Sequence, residues 1–290
     1  MSVTHRPRID LHTHSRASDG TDSPHGVLAA AAGAGLDVVA LTDHDTTAGW
    51  AEAAGAVGPT GVALVRGTEI STRVTTEGGS ISVHLLSYLH DPDDAVLRAE
   101  CERTRDDRLT RARRMTDRLA EDFPVTWDDV VAQTGDGATV GRPHLADALV
   151  AAGVVASRDE AFATVLHPGA PYYVPHYAPD TDVAVRAVLG AGGVPVMAHP
   201  GAGARGRTVS EGTIAALAGA GLAGLEVDHR DHDADTRDRL RGLADELGLL
   251  VTGSSDYHGT GKLNRIGEHT TAPEVLARIE ERGRLDVIRP

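Results

Sequence analysis

The chain has 290 residues, enough for one large α/β domain or a domain carrying an insertion. Its formal charge of −14 and 3% aromatic content exclude a surface built to grip long nucleic acid, which needs basic charge and stacking platforms. The single cysteine, Cys101, excludes a disulfide framework and a thiolate zinc site and suits a reducing cytoplasm, while the lack of any ~18-residue apolar run predicts no membrane span.

In chain order, β-rich runs near 8–12, 37–42 and 62–67 alternate with Ala-rich helical segments at 24–34 and 46–56. Ser23-Pro24 supplies a cap and a helix-start proline for the first helix. A strand near 80–86 follows, and then the alternation breaks. Residues 93–121 read as a charged helix rich in arginine (Arg103, Arg105, Arg108, Arg111, Arg113 and Arg114 among acids), followed by helices at 127–134, 142–152 and 157–166 and a proline-marked return through 168–179. The basic run is either a solvated helix face or a ligand surface. The strand-helix period then resumes with strands near 194–198, 223–228 and 249–252 and helices at 210–220, 234–247 and 273–282. This pattern predicts a parallel α/β fold over residues 1–92 and 180–290, with residues 93–179 as a helical insertion.

Polar donors collect at the ends of the apolar runs. Asp10-Leu11-His12-Thr13-His14, Asp43-His44-Asp45, Gly67-Thr68-Glu69, Ala198-His199 and Ser255-Asp256-Tyr257-His258 each sit at or just past a predicted strand end. In a closed parallel barrel those ends converge on one mouth, where active sites are found. Residues two apart on an extended chain point to the same side, so His12 with His14, and Asp256 with His258, can share an ion. Burying so many unpaired imidazoles and carboxylates costs several kcal/mol each, and divalent cations offset that cost best. His84 is either a core histidine or a further ligand, and Asp19, beside Gly20, either a turn residue or a ligand. Asp43 and Asp45 are expected to orient ligands or cap a helix.

These residues resemble the polymerase-and-histidinol-phosphatase (PHP) family of metal-dependent phosphoesterases. The resemblance spans residues 9–91 and 193–262 and implies a distorted seven-stranded (β/α) barrel whose mouth holds two to three divalent ions, Mn²⁺, Fe²⁺ or Zn²⁺ by donor type. It implies that His12, His14 and Asp256 hold a first ion, that Glu69 bridges to a second held by His84 and His199, and that Asp19, His44 and His258 hold a third. Catalysis would centre on Glu69, His199 and Asp256, with hydroxide held between ions attacking a phosphate ester.

Substrate contacts are less legible. Gly141-Arg142-Pro143-His144 opens a predicted helix; it is an ordinary helix start or, as the resemblance implies, a pair of substrate contacts, Arg142 and His144. His229 and Lys262 follow strand ends and resemble positions near the mouth, with a solvated surface as the alternative. Tyr172-Tyr173 could stack a base or pack the insertion. The Gly201-Ala-Gly203-Ala-Arg-Gly206 run mimics a dinucleotide fingerprint, but His199-Pro200 occupies the place of its tight turn, so a loop carrying Arg205 and Arg207 over the mouth is expected instead. The expected activity is hydrolysis of phosphate monoesters of small nucleotides such as nucleoside 3′,5′-bisphosphates. Alternatives are 5′–3′ trimming of short RNA, histidinol-phosphate or cyclic sugar phosphate hydrolysis, or a non-catalytic accessory module.

Overall fold

A computed structural model describes residues 6–134 and 140–290. Seven strands lie side by side in sequence order: β1 (Ile9–Thr13), β2 (Val38–Leu41), β3 (Ala63–Thr76), β4 (Gly79–Tyr88), β5 (Val194–Met197), β6 (Gly224–Asp228) and β7 (Leu250–Gly253). A parallel bridge between Thr13 and Tyr257 joins the two edges, giving a nearly closed barrel. The helices of the barrel are α1 (Pro24–Gly33), α2 (Trp50–Thr60), α7 (Thr181–Gly190), α8 (Glu211–Gly219), α9 (Ala234–Leu247) and α10 (Pro273–Glu280). Helix α1 begins as its sequence demands: the Ser23 hydroxyl accepts a hydrogen bond from Gly26 N, with Pro24 in the first turn.

The barrel departs from the all-parallel pattern at β4. This strand pairs antiparallel with β3 along ten residues and antiparallel with β5. The cause is local: β3 and β4 are joined by a tight turn around Gly78 and Gly79, and a hairpin can only be antiparallel. Strand β3 also continues past Glu69 to Thr76, so Glu69 lies within the strand rather than at its end. Helix α7, on Thr181–Gly190, has no counterpart among the expected elements.

Alternation within the strands sorts the core. Val38, Ala40, Ala63 and Val65 join Leu86, Tyr88, Val194, Val196 and Leu250 in one buried cluster, which α10 closes with Leu276 and Ile279. The opposite faces of β2 and β3 (Val39, Leu41, Leu64) pack on α1 and α2. The insertion comprises α3 (Ala95–Leu119), α4 (Trp127–Val131), α5 (Arg142–Ala151) and α6 (Arg158–Thr164). It has its own core of Met115, Leu119, Val130, Leu145, Leu149 and Leu166. Helix α3 serves both parts. Its first turns bury Leu97 and Cys101 against α7 and β4, and its last turns enter the insertion core. Among the described residues no helix is long and apolar enough to cross a membrane.

Candidate metal centre

The donors converge as the strand ends require. His12 Nε2 and His14 Nε2 lie 3.0 Å apart, 3.1 and 3.0 Å from Glu69 Oε2, and both 3.5 Å from Asp256 Oδ1. Around the other Glu69 oxygen stand His84 Nδ1 at 2.7 Å and His199 Nε2 at 3.2 Å, while His44 Nδ1 is 3.2 Å from Oε2. Asp19 gathers the third set, with His258 Nε2 at 3.2 Å, His14 Nδ1 at 3.7 Å and His44 Nε2 at 3.8 Å. Three groupings have ligand atoms mutually within 4.8 Å: His12, His14, Glu69 and Asp256; His44, Glu69 and His84; and His14, Asp19, His44 and His258. Eight of the nine expected ligands fall in these groupings, and His199, expected beside His84, stands outside them but 3.2 Å from Glu69 Oε1. His44 stands between the Glu69 and Asp19 sets, whereas the sequence reading placed it with the latter alone. Because β4 is antiparallel, His84 reaches the cluster from mid-strand, through its register partner Ser71, and not from a strand end.

A cation fits this geometry on chemical grounds. His12 Nδ1 is committed to Glu226 Oε1 at 2.9 Å, so Nε2 is the nitrogen turned toward His14 Nε2 and the two carboxylates. Facing lone pairs at such distances repel one another, yet edges of ~3 Å are those of a coordination shell with bonds of ~2.1 Å. Protonation leaves the cluster divided. Burial would lower His12, but Glu69, Glu226 and Asp256 raise it well above the ordinary imidazole value. Burial drives His44 well down and holds His258 at about 4. Burial alone would raise Glu69, yet His44, His84 and His12 keep it well below the carboxylate range, and His258, His44 and His14 do the same for the buried Asp19. Without an ion the carboxylates therefore hold a proton on His12, which a divalent cation would replace; with anionic Glu69 and Asp19, unprotonated His44 and His258, and no sulfur, the set suits such ions.

Beneath the donors lie four buried acids that do not join the groupings. Asp10 accepts from Ser255 N at 3.0 Å and Gly267 N at 2.8 Å. Asp43 holds Ser15 through N and Oγ (2.8 and 2.7 Å) and Ser18 Oγ (2.6 Å), fixing the loop that carries His14 and Asp19. Asp45 accepts from Ser71 N and Oγ, both at 2.8 Å. The sequence predicts an orienting role for Asp43 and Asp45 but none for the fourth acid, Glu226, which holds His12 Nδ1. Three of the four non-glycine residues with positive φ among the described residues are here: Asp45 (53°), His199 (32°) and Asp256 (53°). Such strain costs of order 1–3 kcal/mol per residue and concentrates where side chains must be aimed.

The remaining candidates lie around this centre. Lys262 Nζ is 3.0 Å from Asp256 Oδ2 at the mouth. His229 is fully buried, with Nδ1 accepting from Asp231 N and Nε2 3.8 Å from Asp256 Oδ2. His144 caps its own helix by accepting from Gly141 N at 3.1 Å, and its ring is hydrogen-bonded to the Ser18 backbone. Arg142 donates to Leu166 O and lies over the Phe162 and Tyr173 rings. Sequence reasoning left two groups unassigned. Part of the basic run on α3 faces the site: Arg105 donates to Asp45 O (2.6 Å), Arg108 pairs with Asp45 (3.3 Å) and Ser71, and buried Arg111 lies over Tyr173. His176, in the proline-rich return, is pressed to about 2 by burial and by Arg108, Arg111, Arg142 and His84. It lies within electrostatic reach of both the arginines and His84, and no sequence signal marks it.

Arg207 corrects an expectation. It does not overhang the mouth but clasps the β3–β4 turn, donating to Gly78 O and Ser80 O at 2.9 Å each; the side chain of Arg205 lies outside the described part. Gly201 is small for packing, since a Cβ there would meet Thr236 at 2.4 Å.

Fold and site together define a metal-dependent hydrolase built on a seven-stranded barrel. The profile of the PHP domain matches residues 10–119. The chain is 35% identical over 284 residues to the 3′,5′-nucleoside bisphosphate phosphatase of Chromobacterium violaceum, covering 97% of this chain and 98% of that protein. It is 32% identical over 253 residues to a 5′-3′ exoribonuclease of Haemophilus influenzae, covering 87% and 90%. Among solved structures, one assigned to the metal-dependent phosphoesterases, from Bifidobacterium adolescentis, superimposes with a TM-score of 0.91 at 44% identity over 96% of this chain and 98% of that one. An amidohydrolase from Chromobacterium violaceum, with bound sulfate and no metal, gives 0.85 at 35% identity over 98% of each. The chain belongs to the PHP family of metal-dependent phosphoesterases and is an enzyme that hydrolyses phosphate esters.

Proposed function

We propose that the protein removes phosphate from nucleoside 3′,5′-bisphosphates, binding one phosphate at the metal centre and the other on the arginines of the insertion. The observation that carries this is the group Arg108, Arg111 and Arg142 beside His176 and His84. Burial, with Arg142 and Arg108 close by, pushes Arg111 down to about 9, and burial also lowers Arg142. A guanidinium stays charged at neutral pH, so gathering them out of water costs free energy that an anion offsets through charge-assisted, bidentate hydrogen bonds. Arg108 already pairs with Asp45, but a single phosphate at the metals would leave Arg111 and Arg142 without a carboxylate or phosphate partner, which a second phosphate on the same small molecule would supply. The names of two relatives, a nucleoside bisphosphate phosphatase and a 5′-3′ exoribonuclease, support this reading.

In this reading His12, His14, Asp19, His44, Glu69, His84, His199, Asp256 and His258 hold two to three ions, Mn²⁺, Fe²⁺ or Zn²⁺. When bound, the ions neutralise phosphate charge and make water a nucleophile at neutral pH. Glu69 would offer both of its oxygens to the ions, with His199 and Asp256 as further ligands beside it. Lys262, at the mouth, and His229, behind Asp256, face the reacting phosphate. Arg142 and, through the start of its helix, His144 place the insertion over the substrate, so residues 93–179 act as a capping domain. Short RNA with a 5′ phosphate is a second substrate that the same arginines can hold. The test is phosphate release by metal-depleted and Mn²⁺-restored protein from adenosine 3′,5′-bisphosphate, AMP, histidinol phosphate and a 5′-phosphorylated trinucleotide. Preference for the bisphosphate is expected. Equal kcat/KM on AMP would overturn the second-phosphate site.

A further inference from the structure

We infer that Glu226, which the metal groupings exclude, is the positioning residue that sets the coordinating face of His12 and the place of His199. The inference rests on the proposed reading of those histidines as ligands. Glu226 lies on β6, wholly buried, and its carboxylate has three partners from three other strands. Oε1 is 2.9 Å from His12 Nδ1 at the end of β1, and Oε2 accepts from the backbone N of His199, after β5, at 2.7 Å. The Ser254 hydroxyl, after β7 and two residues before Asp256, donates to Oε1. One side chain therefore fixes elements that carry His12, His199 and Asp256.

The chemistry of each bond is specific. An imidazole that donates from Nδ1 must coordinate through Nε2, so Glu226 selects the nitrogen that His12 turns toward His14, Glu69 and Asp256. His199 has φ of 32°, a conformation costly for a side chain with a Cβ, and its N–H is held there by the second oxygen. A glutamine in this place has one oxygen and one NH₂ group. Either orientation sets an N–H against His12 Nδ1–H or against the His199 N–H, so one of the two ligands loses its acceptor.

Glu226→Gln is therefore expected to weaken metal binding, measured by competition with a chromogenic chelator for Zn²⁺ or Co²⁺, by roughly 10- to 100-fold. The visible absorption of Co²⁺-loaded protein should change in position and intensity, a readout that loss of packing elsewhere does not move. A second measurement needs no variant. In Zn²⁺-loaded wild-type protein, ¹⁵N-resolved imidazole spectra should show His12 with a slowly exchanging Nδ1–H and metal on Nε2. Metal on His12 Nδ1, or unchanged affinity and Co²⁺ spectrum in a folded Glu226→Gln, would overturn the role of Glu226. Wild-type protein taking up no ion at all would instead overturn the reading of the cluster.

Discussion

At the scale of the residue, the site depends on atoms that serve two neighbours at once. Glu69 is the clearest case, with Oε1 facing His84 and His199 and Oε2 facing His12, His14 and His44. Glu69→Gln leaves volume and fold unchanged but removes the charge, and a neutral amide is a poor donor to hard cations. Turnover should nearly vanish with thermal stability of the metal-free protein retained; near-normal turnover at full metal content would contradict the role. The role proposed for Arg142 is recognition and not metal binding. Arg142→Ala should leave bound metal unchanged while lowering kcat/KM for bisphosphates on the order of ten- to a hundred-fold, the worth of a charged hydrogen bond of roughly 1.5–3 kcal/mol. A small phosphate monoester should suffer less, and equal losses on both would move Arg142 to the reacting phosphate. His90 supplies a pH test away from the donors. It is buried beside Trp50 and hydrogen-bonded to Ser87 at 2.8 Å, and burial holds it at about 4, below the 6.5 of an unfolded imidazole. The unfolded chain thus binds the extra proton first, so stability is present above pH 6.5 and is lost as pH falls toward 4. Comparing unfolding midpoints of wild type and His90→Gln between pH 7 and 4 should show a shallower acid loss in the variant; identical profiles would refute this titration.

At the scale of the element, short loops after strands do the positioning. The turn 15–20 after β1 folds back so that Gly20 N reaches Ser15 O at 3.0 Å, which presents Asp19 to His14, His44 and His258. A Cβ on Gly20 would lie 2.5 Å from the His14 carbonyl oxygen, a contact that only backbone movement relieves. Gly20→Ala should therefore impair the grouping of Asp19 selectively. Elemental analysis is expected to show reduced metal with His12, His14, Glu69 and Asp256 still loaded, and wild-type stoichiometry would show that the turn adapts. The hairpin β3–β4 was hidden from sequence because both strands carry long buried runs, and period alone does not reveal direction. Helix α7 was hidden for another reason. It follows the proline-rich return, and its Ala and Val residues read equally as helix or strand until packing against β3, β4 and β5 decides.

At the scale of the whole molecule, a strongly acidic chain concentrates arginines where the insertion meets the barrel. Arg108 already spans the two parts through Asp45 and Ser71, and Arg158 pairs with Asp147 while donating to Gly261 O at 3.3 Å on the barrel side. An anion that joins Arg108, Arg111 and Arg142 should stabilise the folded state by mass action, about 2.7 kcal/mol at a hundred times its Kd. Phosphate is therefore expected to raise the unfolding midpoint by several degrees, and Arg142→Ala to reduce that rise; an unchanged midpoint in phosphate would count against an anion site here.

What the sequence determined by itself was a set of candidate donors and the barrel that gathers them. Donor pairs two residues apart and acids at the ends of apolar runs are local patterns, and strand geometry converts them into convergent side chains. The barrel strands and the insertion were legible for the same reason, since hydrophobic period is a property of neighbours along the chain. Tertiary structure alone decided the rest. His176, Arg108 and Arg111 come together only because the insertion folds back onto β3 and β4, and Glu226 meets His12 and His199 from 214 and 27 residues away in the chain. A single arginine or glutamate carries no periodic signal, and its role is set by which distant groups share its burial, which close packing determines and local sequence does not.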